Sequence, residues 1–342
     1  MLQRSTTPRN EAELGAWLAA PDEATIAALA ALEGDILVLG AGGKMGPTVA
    51  RMARQALSDP TRRVIAVSRF SDESVARSLH EHGVEVVRAD LADPNAVATL
   101  PDAPNVIWMA GQKFGTNTDP VATWTQNVVA SVHAAERFAG SRIVCFSTGN
   151  VYPRTPVSNG GSRESDALWP EGDYASSCVG RERVFTSVAR RTGSPLLLLR
   201  LFYACDLRYG VVTDIALRVL AGEPVPLAMS HVNVIWQADA NRLALRALGC
   251  AGAPAVPLNV TGPPVRVREI AEIIGRCAGI APVFEGTECV DALIANVDTL
   301  AGLLPFEALP LETLCAWAVD WIRAEGRLLG KPSKFATRDG RF

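Results

Sequence analysis

The segment Ile36-Leu37-Val38-Leu39-Gly40-Ala41-Gly42-Gly43-Lys44-Met45-Gly46-Pro47 sets four apolar residues against a glycine-rich loop and closes on a proline. Four β-prone apolar residues read as a buried strand, and a proline at the first helical position reads as a helix start. Between them, glycine permits a sharp turn, a close approach of backbone to a pyrophosphate and tight packing of helix on sheet. The helix N-terminus then offers free N–H groups and a partial positive charge to phosphate. Gly40, Gly42, Gly43, Lys44, Met45 and Gly46 are therefore candidate cofactor contacts. A glycine triplet alone also fits a flexible loop; its setting between strand and helix, and the strands and helices downstream of it, separate the two.

From Asp35 onward, short β-rich runs alternate with amphipathic segments. The runs are Ile36–Leu39, Val64–Val67, Val84–Val87, Val106–Met109, Ile143–Phe146 and Leu196–Leu199, with helices expected over 46–57, 72–82, 119–139 and 174–191. That alternation predicts an α/β fold, a doubly wound parallel Rossmann-type sheet covered on both faces. After residue 205 the pattern is mixed: strands near Val232–Ile235 and Pro257–Val260, helices at 239–248, 266–278 and 311–328. The expected division is a helical extension over 1–34, a dinucleotide-binding domain over 35–204 with 232–250 contributing, and a smaller interleaved substrate lobe over 205–342. In the extension, Asn10 is placed to cap Glu11–Leu18, and Pro21-Asp22 to open a second helix. The polar Lys331–Phe342 segment reads as an ordered or frayed tail.

The second strand runs into Ser68 and Arg69. An acid there would bind ribose hydroxyls, as NAD sites prefer; a hydroxyl and a fixed cation suit a 2′-phosphate, so NADP is expected over NAD. Arg69 also fits a solvated turn residue over the adenine. Asp90, followed by Leu91, is placed either to accept from the adenine amino group or to cap the next helix.

The 342 residues are 48% hydrophobic and 20% charged, with a formal net charge of -3. That charge gives no electrostatic reason to expect nucleic acid or a membrane as partner. Seven dispersed cysteines, no Cys-x-x-Cys pair and no signal-peptide pattern favour reduced thiols and a cytoplasmic setting. The four histidines are scattered, and no metal site is expected.

Several elements appear together and in order: Gly40/Gly43/Gly46, Ala89-Asp90-Leu91, Ala110-Gly111, Asn127, Phe146-Ser147-Thr148-Gly149-Asn150-Val151-Tyr152, Glu164 with Pro170, Tyr174, Glu182, Arg200-Leu201-Phe202 and Asp239. Over residues 35–325 the chain resembles the extended short-chain dehydrogenase/reductases, the NAD(P)-dependent epimerase/dehydratase group. The resemblance implies a Rossmann domain, a small-molecule substrate and a homodimer built on paired helices. Carried over, Thr148 falls on the Ser/Thr that hydrogen-bonds the reacting oxygen, Tyr174 on the proton-transferring tyrosine, and Asn127 on a helix asparagine that organises backbone and water. Ala110 and Gly111 fall in the cofactor loop.

One position departs. In Tyr174-Ala175-Ser176-Ser177-Cys178, Cys178 stands where the family has lysine. A phenol with pKa near ~10 shuttles protons poorly at neutral pH unless a fixed cation stabilises the phenolate. Two substitutes offer themselves. Lys113, in Ala110-Gly111-Gln112-Lys113-Phe114, resembles a loop lysine of UDP-galactose 4-epimerases. Arg181 lies on the stripe of Tyr174 and Cys178, but its Cα sits two turns from Tyr174, so direct rescue is not expected. A reactive Cys178 thiol is a third reading, with a buried inert residue as its alternative.

The 4,6-dehydratases of this group carry an Asp-Glu pair after the catalytic threonine; here Gly149 and Asn150 exclude that elimination. The stretch Met229–Gln237 lacks the arginine that clamps a substrate pyrophosphate. A small polar substrate without a nucleotide diphosphate is expected, contacted by residues among Gln112, Lys113, Asn150, Tyr203, His231, Asn233 and Trp236; strand alternation offers burial instead for two of these. Two functions stand: an NADP-dependent reductase, dehydrogenase or epimerase using Tyr174 and Thr148, or an NADP-binding protein without turnover.

Overall fold

The computed structural model describes residues 6–116 and 118–339. The first five residues and the last three of the polar tail lie outside that description. Seven strands form the central sheet: β1 (Ile36–Leu39), β2 (Val64–Ser68), β3 (Glu85–Arg88), β4 (Asn105–Trp108), β5 (Arg142–Thr148), β6 (Leu196–Leu201) and β7 (Val256–Val260). Their order is β7-β6-β5-β4-β1-β2-β3, and every pairing is parallel. The order reverses between β1 and β4, the crevice where doubly wound sheets bind ligands.

Strands buried on both faces need apolar side chains throughout. Ile36–Leu39 is buried at every residue, and so are the other two strands nearest the crevice, β4 and most of β5. One face packs Val49, Met52, Ala53 and Leu243; the other packs Ala134, Phe138, Phe185 and Val188. The sheet takes its seventh strand from beyond residue 204, because Val256–Val260 pairs with β6 rather than joining the substrate lobe. Its short apolar run reads like any lobe strand, and only the long-range register assigns it.

The strand expected near Val232–Ile235 is two short ones. His231–Asn233 pairs antiparallel with Pro264–Arg266, and Ile235–Trp236 pairs parallel with Ala204–Cys205. The lobe core gathers Ile215, Val267, Ile270, Ile274, Trp317 and Trp321. The helix expected over 311–328 ends at Arg323, where Glu325 turns to φ 56° and Gly326 lies against the Trp321 indole.

The N-terminal helices follow their caps: Asn10 accepts from Glu13 N, and Asp22 from Thr25 N. They bridge the molecule. Leu14 and Leu18 join the lobe core, Trp17 meets Trp317 at 5.1 Å, and Leu29 enters the sheet core. Asn241 and Arg242, from the helix Gln237–Arg246, donate to the Leu18 and Ala20 carbonyls.

Candidate functional site

The glycines divide by what surrounds them. Gly40 turns at φ +86°, and a Cβ there would stand 2.4 Å from Ala110 N. A Cβ on Gly46 would stand 2.6 Å from the Ala41 carbonyl oxygen. Both are demanded by the packing of β1, its helix Gly46–Ala56 and the Ala110 loop. Gly43 is different: its Cβ would meet only Gly40 O, at 3.5 Å. Its bare backbone faces a cleft of about 250 Å³ lined by Gly42, Ser68, Arg69, Asp90, Ala110 and Gly111. A helix start, exposed glycine backbone and a polar far wall fit a dinucleotide. Leu91, though largely buried, lines the cleft, whereas Met45 is buried in the core.

At the far wall, Arg69 lies 3.9 Å from Asp90 and both are largely exposed. Asp90 Oδ1 accepts from Ala92 N, whereas the helix Pro94–Ala98 is capped by Asp93. Asp90 is therefore not the helix cap.

The long helix expected at 119–139 is interrupted by a π-helical turn over Thr125–Val129. The wider turn swings Asn127 fully inward. Its Oδ1 accepts from Gln112 N at 2.7 Å, and its Nδ2 donates to Gln112 O and Ser177 Oγ. One amide thus ties the Ala110-Gly111-Gln112 loop to the helix Gly172–Thr192 that carries Tyr174.

On that helix, Tyr174 shares a hydrogen bond with the Thr148 side chain at the end of β5. Burial and the Cys178 sulfur push the phenol well above its ordinary pKa; the Thr148 bond and Arg181 pull the other way. Cys178 is fully buried and its thiol is raised by burial, which removes the reactive-thiol reading.

The cation is Arg181. Helical side chains lean toward the N-terminus, so this one covers the preceding turn. Its Nη2 lies 3.2 Å from Cys178 Sγ and its Nη1 donates to Ala110 O at 3.1 Å. Burial opposes its charge, but Cys178, Cys145 and Tyr174 outweigh that and hold its pKa above the ordinary value. Cα spacing does not reveal this contact, because it runs through the length of the arginine and the smallness of cysteine.

Beneath Thr148 lies a buried polar network. Glu182 takes a bidentate pair from Arg200 at 2.9 and 3.0 Å and a 2.6 Å bond from Ser147 Oγ. Arg200 also donates to Tyr152 OH, which donates to Asn259 Oδ1 at 2.9 Å. Paired charges with every strong acceptor engaged hold β5, β6 and β7 in register under the site.

Two lysines enter from the other side. Lys113 Nζ lies 5.9 Å from the ring centroids of both Tyr174 and Tyr203. Lys44, expected on the cofactor, turns its Nζ away to sit 3.2 Å over the Tyr209 ring. Burial pulls each ammonium down to about 8. Asn150 lies beside Thr148 Oγ1, to which its N donates at 3.3 Å.

Two expected substrate contacts face inward. Asn233 is fully buried and spends its amide on Gly262 O, Ala295 O and Ala295 N. Trp236 is core, 5.8 Å from Trp317. Strand alternation alone could not say which face met the core. His231 is half-buried, hydrogen-bonded to Ser230 and influenced by Arg266 and Glu288. Among the described residues no cluster suits a metal ion, and no helix is long and apolar enough to cross a membrane.

A Rossmann crevice with a Tyr/Thr pair at its open end defines a dinucleotide-binding protein. Residues 40–174 match the NAD(P)H-binding family model. No curated protein sequence matches the chain. The structure of MoeE5 in complex with UDP-glucuronic acid and NAD aligns at TM-score 0.69 and 24% identity, over 85% of this chain and 100% of that one. The UDP-glucose 4-epimerase of Thermotoga maritima aligns at 0.69 and 20%, over 85% and 99%. The UDP-glucuronic acid 4-epimerase of Bacillus cereus aligns at 0.69 and 16%, over 84% and 99%. The chain shares its fold with these proteins, and its residues 40–174 form an NAD(P)H-binding domain.

Proposed function

We propose that the protein is an NADP-dependent oxidoreductase that reduces the carbonyl of a small polar substrate, or oxidises the matching secondary alcohol. The observation that carries this reading is the Tyr174–Thr148 hydrogen bond with Arg181 held behind it through Cys178. When bound, the nicotinamide supplies or accepts the hydride. Thr148 and Tyr174 hold the substrate oxygen, and Tyr174 gives it a proton. A phenol raised by burial is protonated at neutral pH, the state an acid needs, so the site favours reduction. Arg181 limits the cost of the phenolate that remains.

NADP preference rests on Arg69 beside Ser68, a fixed cation and a hydroxyl suited to a 2′-phosphate. The absence of a nucleotide diphosphate from the substrate rests on the arginine-free Met229–Gln237 stretch and on the C-terminal segment. Thr337 and Arg338 wall the space beyond Asn150, leaving a cavity of about 30 Å³, room for one water. A homodimer is supported by Val121, Trp124 and Val132, exposed along the 120–137 helix, and sedimentation reads it directly.

A fluorescence titration of NADPH and NADH against wild type and Arg69→Ala tests the cofactor reading. NADPH should bind more tightly, and the variant should lose that preference by about tenfold, one charge-assisted hydrogen bond. Equal affinities in both proteins would remove it.

A further inference from the structure

Phe70 holds a left-handed backbone, φ 48°, in a chain that reserves such angles almost entirely for glycine. That conformation is costly for a bulky residue and persists only where its surroundings enforce it. The turn it makes runs from the end of β2 to the helix Glu73–Glu81, along the edge of the cofactor cleft. The Phe70 ring is buried, and a Cβ on Gly42 would stand 3.5 Å from its Cδ1 and 2.6 Å from Ser68 Oγ. The ring therefore seats the turn against the glycine loop.

Arg88 is what enforces it. As the last residue of β3 it pairs in register with Ser68, so it stands where the turn leaves β2. Its Nη1 donates to Phe70 O at 3.2 Å and to Arg69 O at 3.4 Å, and its Nη2 to Glu73 Oε2 at 2.6 Å. Extended backbone sends consecutive carbonyls to opposite sides, whereas a residue in a helical conformation of either hand sends its own and the preceding one the same way. The left-handed Phe70 thus brings both carbonyls onto one guanidinium. Arg69 itself is loosely held: its side chain is largely exposed and lies 3.9 Å from Asp90. Its backbone is the part that is fixed, and Arg88, which stands outside the cleft lining, is the residue that fixes it.

Resting on the NADP reading above, we infer that Arg88 is a positioning residue for cofactor choice: by clamping the carbonyls of Arg69 and Phe70 it aims the Arg69 guanidinium at the adenosine 2′-phosphate without touching the cofactor. An arginine suits this role because its planar fork meets several fixed acceptors at once, whereas a lysine ammonium is a single point charge. Without the clamp the strained turn relaxes, and Arg69 must be ordered afresh each time a phosphate binds, which costs affinity for that group alone.

The probes are 2′,5′-ADP and 5′-AMP, which differ only in the 2′-phosphate. The ratio of their affinities, from calorimetric titration of the whole chain, reads the phosphate contact without any turnover. The NADP reading puts that ratio at about tenfold or more in wild type and about onefold in Arg69→Ala. Arg88→Met should bring it down to about two- to threefold with 5′-AMP affinity unchanged, and Arg88→Lys should fall between that and wild type. In the Arg69→Ala background Arg88→Met should change nothing further, because its effect passes through Arg69. A wild-type preference that Arg69→Ala abolishes and Arg88→Met leaves intact overturns the inference and leaves the NADP reading standing. No preference in wild type overturns both. Further loss in the double variant would mean that Arg88 meets the phosphate itself, and Arg88→Lys equal to wild type would mean that only its charge matters; either result overturns the clamp.

Discussion

Arg181 lies 3.2 Å from the Cys178 sulfur, one helical turn behind Tyr174. The guanidinium covers the turn that carries Cys178, and its charge pulls the Tyr174 phenol down against burial.

Arg181→Met should reduce turnover by about ten- to a hundredfold, the worth of one charge-assisted interaction. The pH profile of kcat should shift with it, because the tyrosine loses the cation that lowers its pKa. Unchanged kcat at every pH would mean Arg181 serves only packing.

Cys178→Lys is expected to harm rather than restore. The new ammonium would be buried against the Arg181 guanidinium, and an uncompensated buried charge costs about 3–5 kcal/mol. Thermal denaturation should show a large loss of stability in Cys178→Lys, and Cys178→Lys/Arg181→Met should regain most of it. A stable single variant would contradict the geometry.

Gly43→Ala separates cofactor binding from folding. Its Cβ has room in the protein, at 3.5 Å from the nearest atom, but occupies the ground where a pyrophosphate approaches. The melting temperature should stay within a few degrees of wild type while NADPH affinity falls at least about tenfold. Gly46→Ala, driven against Ala41 O at 2.6 Å, should instead destabilise by about 1–3 kcal/mol.

Lys44 and Lys113 make the stability of the fold depend on pH. Both are pulled from 10.5 to about 8 by burial. Between pH 8 and 10.5 the unfolded chain holds more protons, so folding strengthens as pH rises. Lys113→Met should flatten part of that rise and stabilise the protein at pH 7. Urea denaturation at pH 7 and pH 10 reads both signs.

Much of the sheet was legible because a strand buried on two faces must be apolar at every residue, as Ile36–Leu39 is. The caps Asn10 and Asp22 were equally plain, since their bonds are local. What stayed hidden depends on distance. Val256–Val260 looks like any short strand until it finds β6, and Trp236 and Asn233 alternate like site residues until the lobe core claims one and the Gly262 and Ala295 backbone the other. Arg181 was discounted because its Cα spacing ignores the lean of a helical side chain. Arg338 lies far along the sequence from Arg154, so only the folded chain brings the C-terminal segment to it, where Arg154 donates to Arg338 O at 2.7 Å.

The central claim is that Tyr174 and Thr148 hold and protonate a carbonyl oxygen while NADPH supplies the hydride, with Cys178 rather than a cation on the next turn. NADPH oxidation, followed by absorbance with a panel of small carbonyl compounds in carboxylate and neutral forms, tests it most directly. Turnover on at least one small polar carbonyl, lost at least about a hundredfold in Tyr174→Phe, is the result expected. NADPH shown to bind but oxidised by no member of the panel, or oxidised equally well by Tyr174→Phe, would contradict the account.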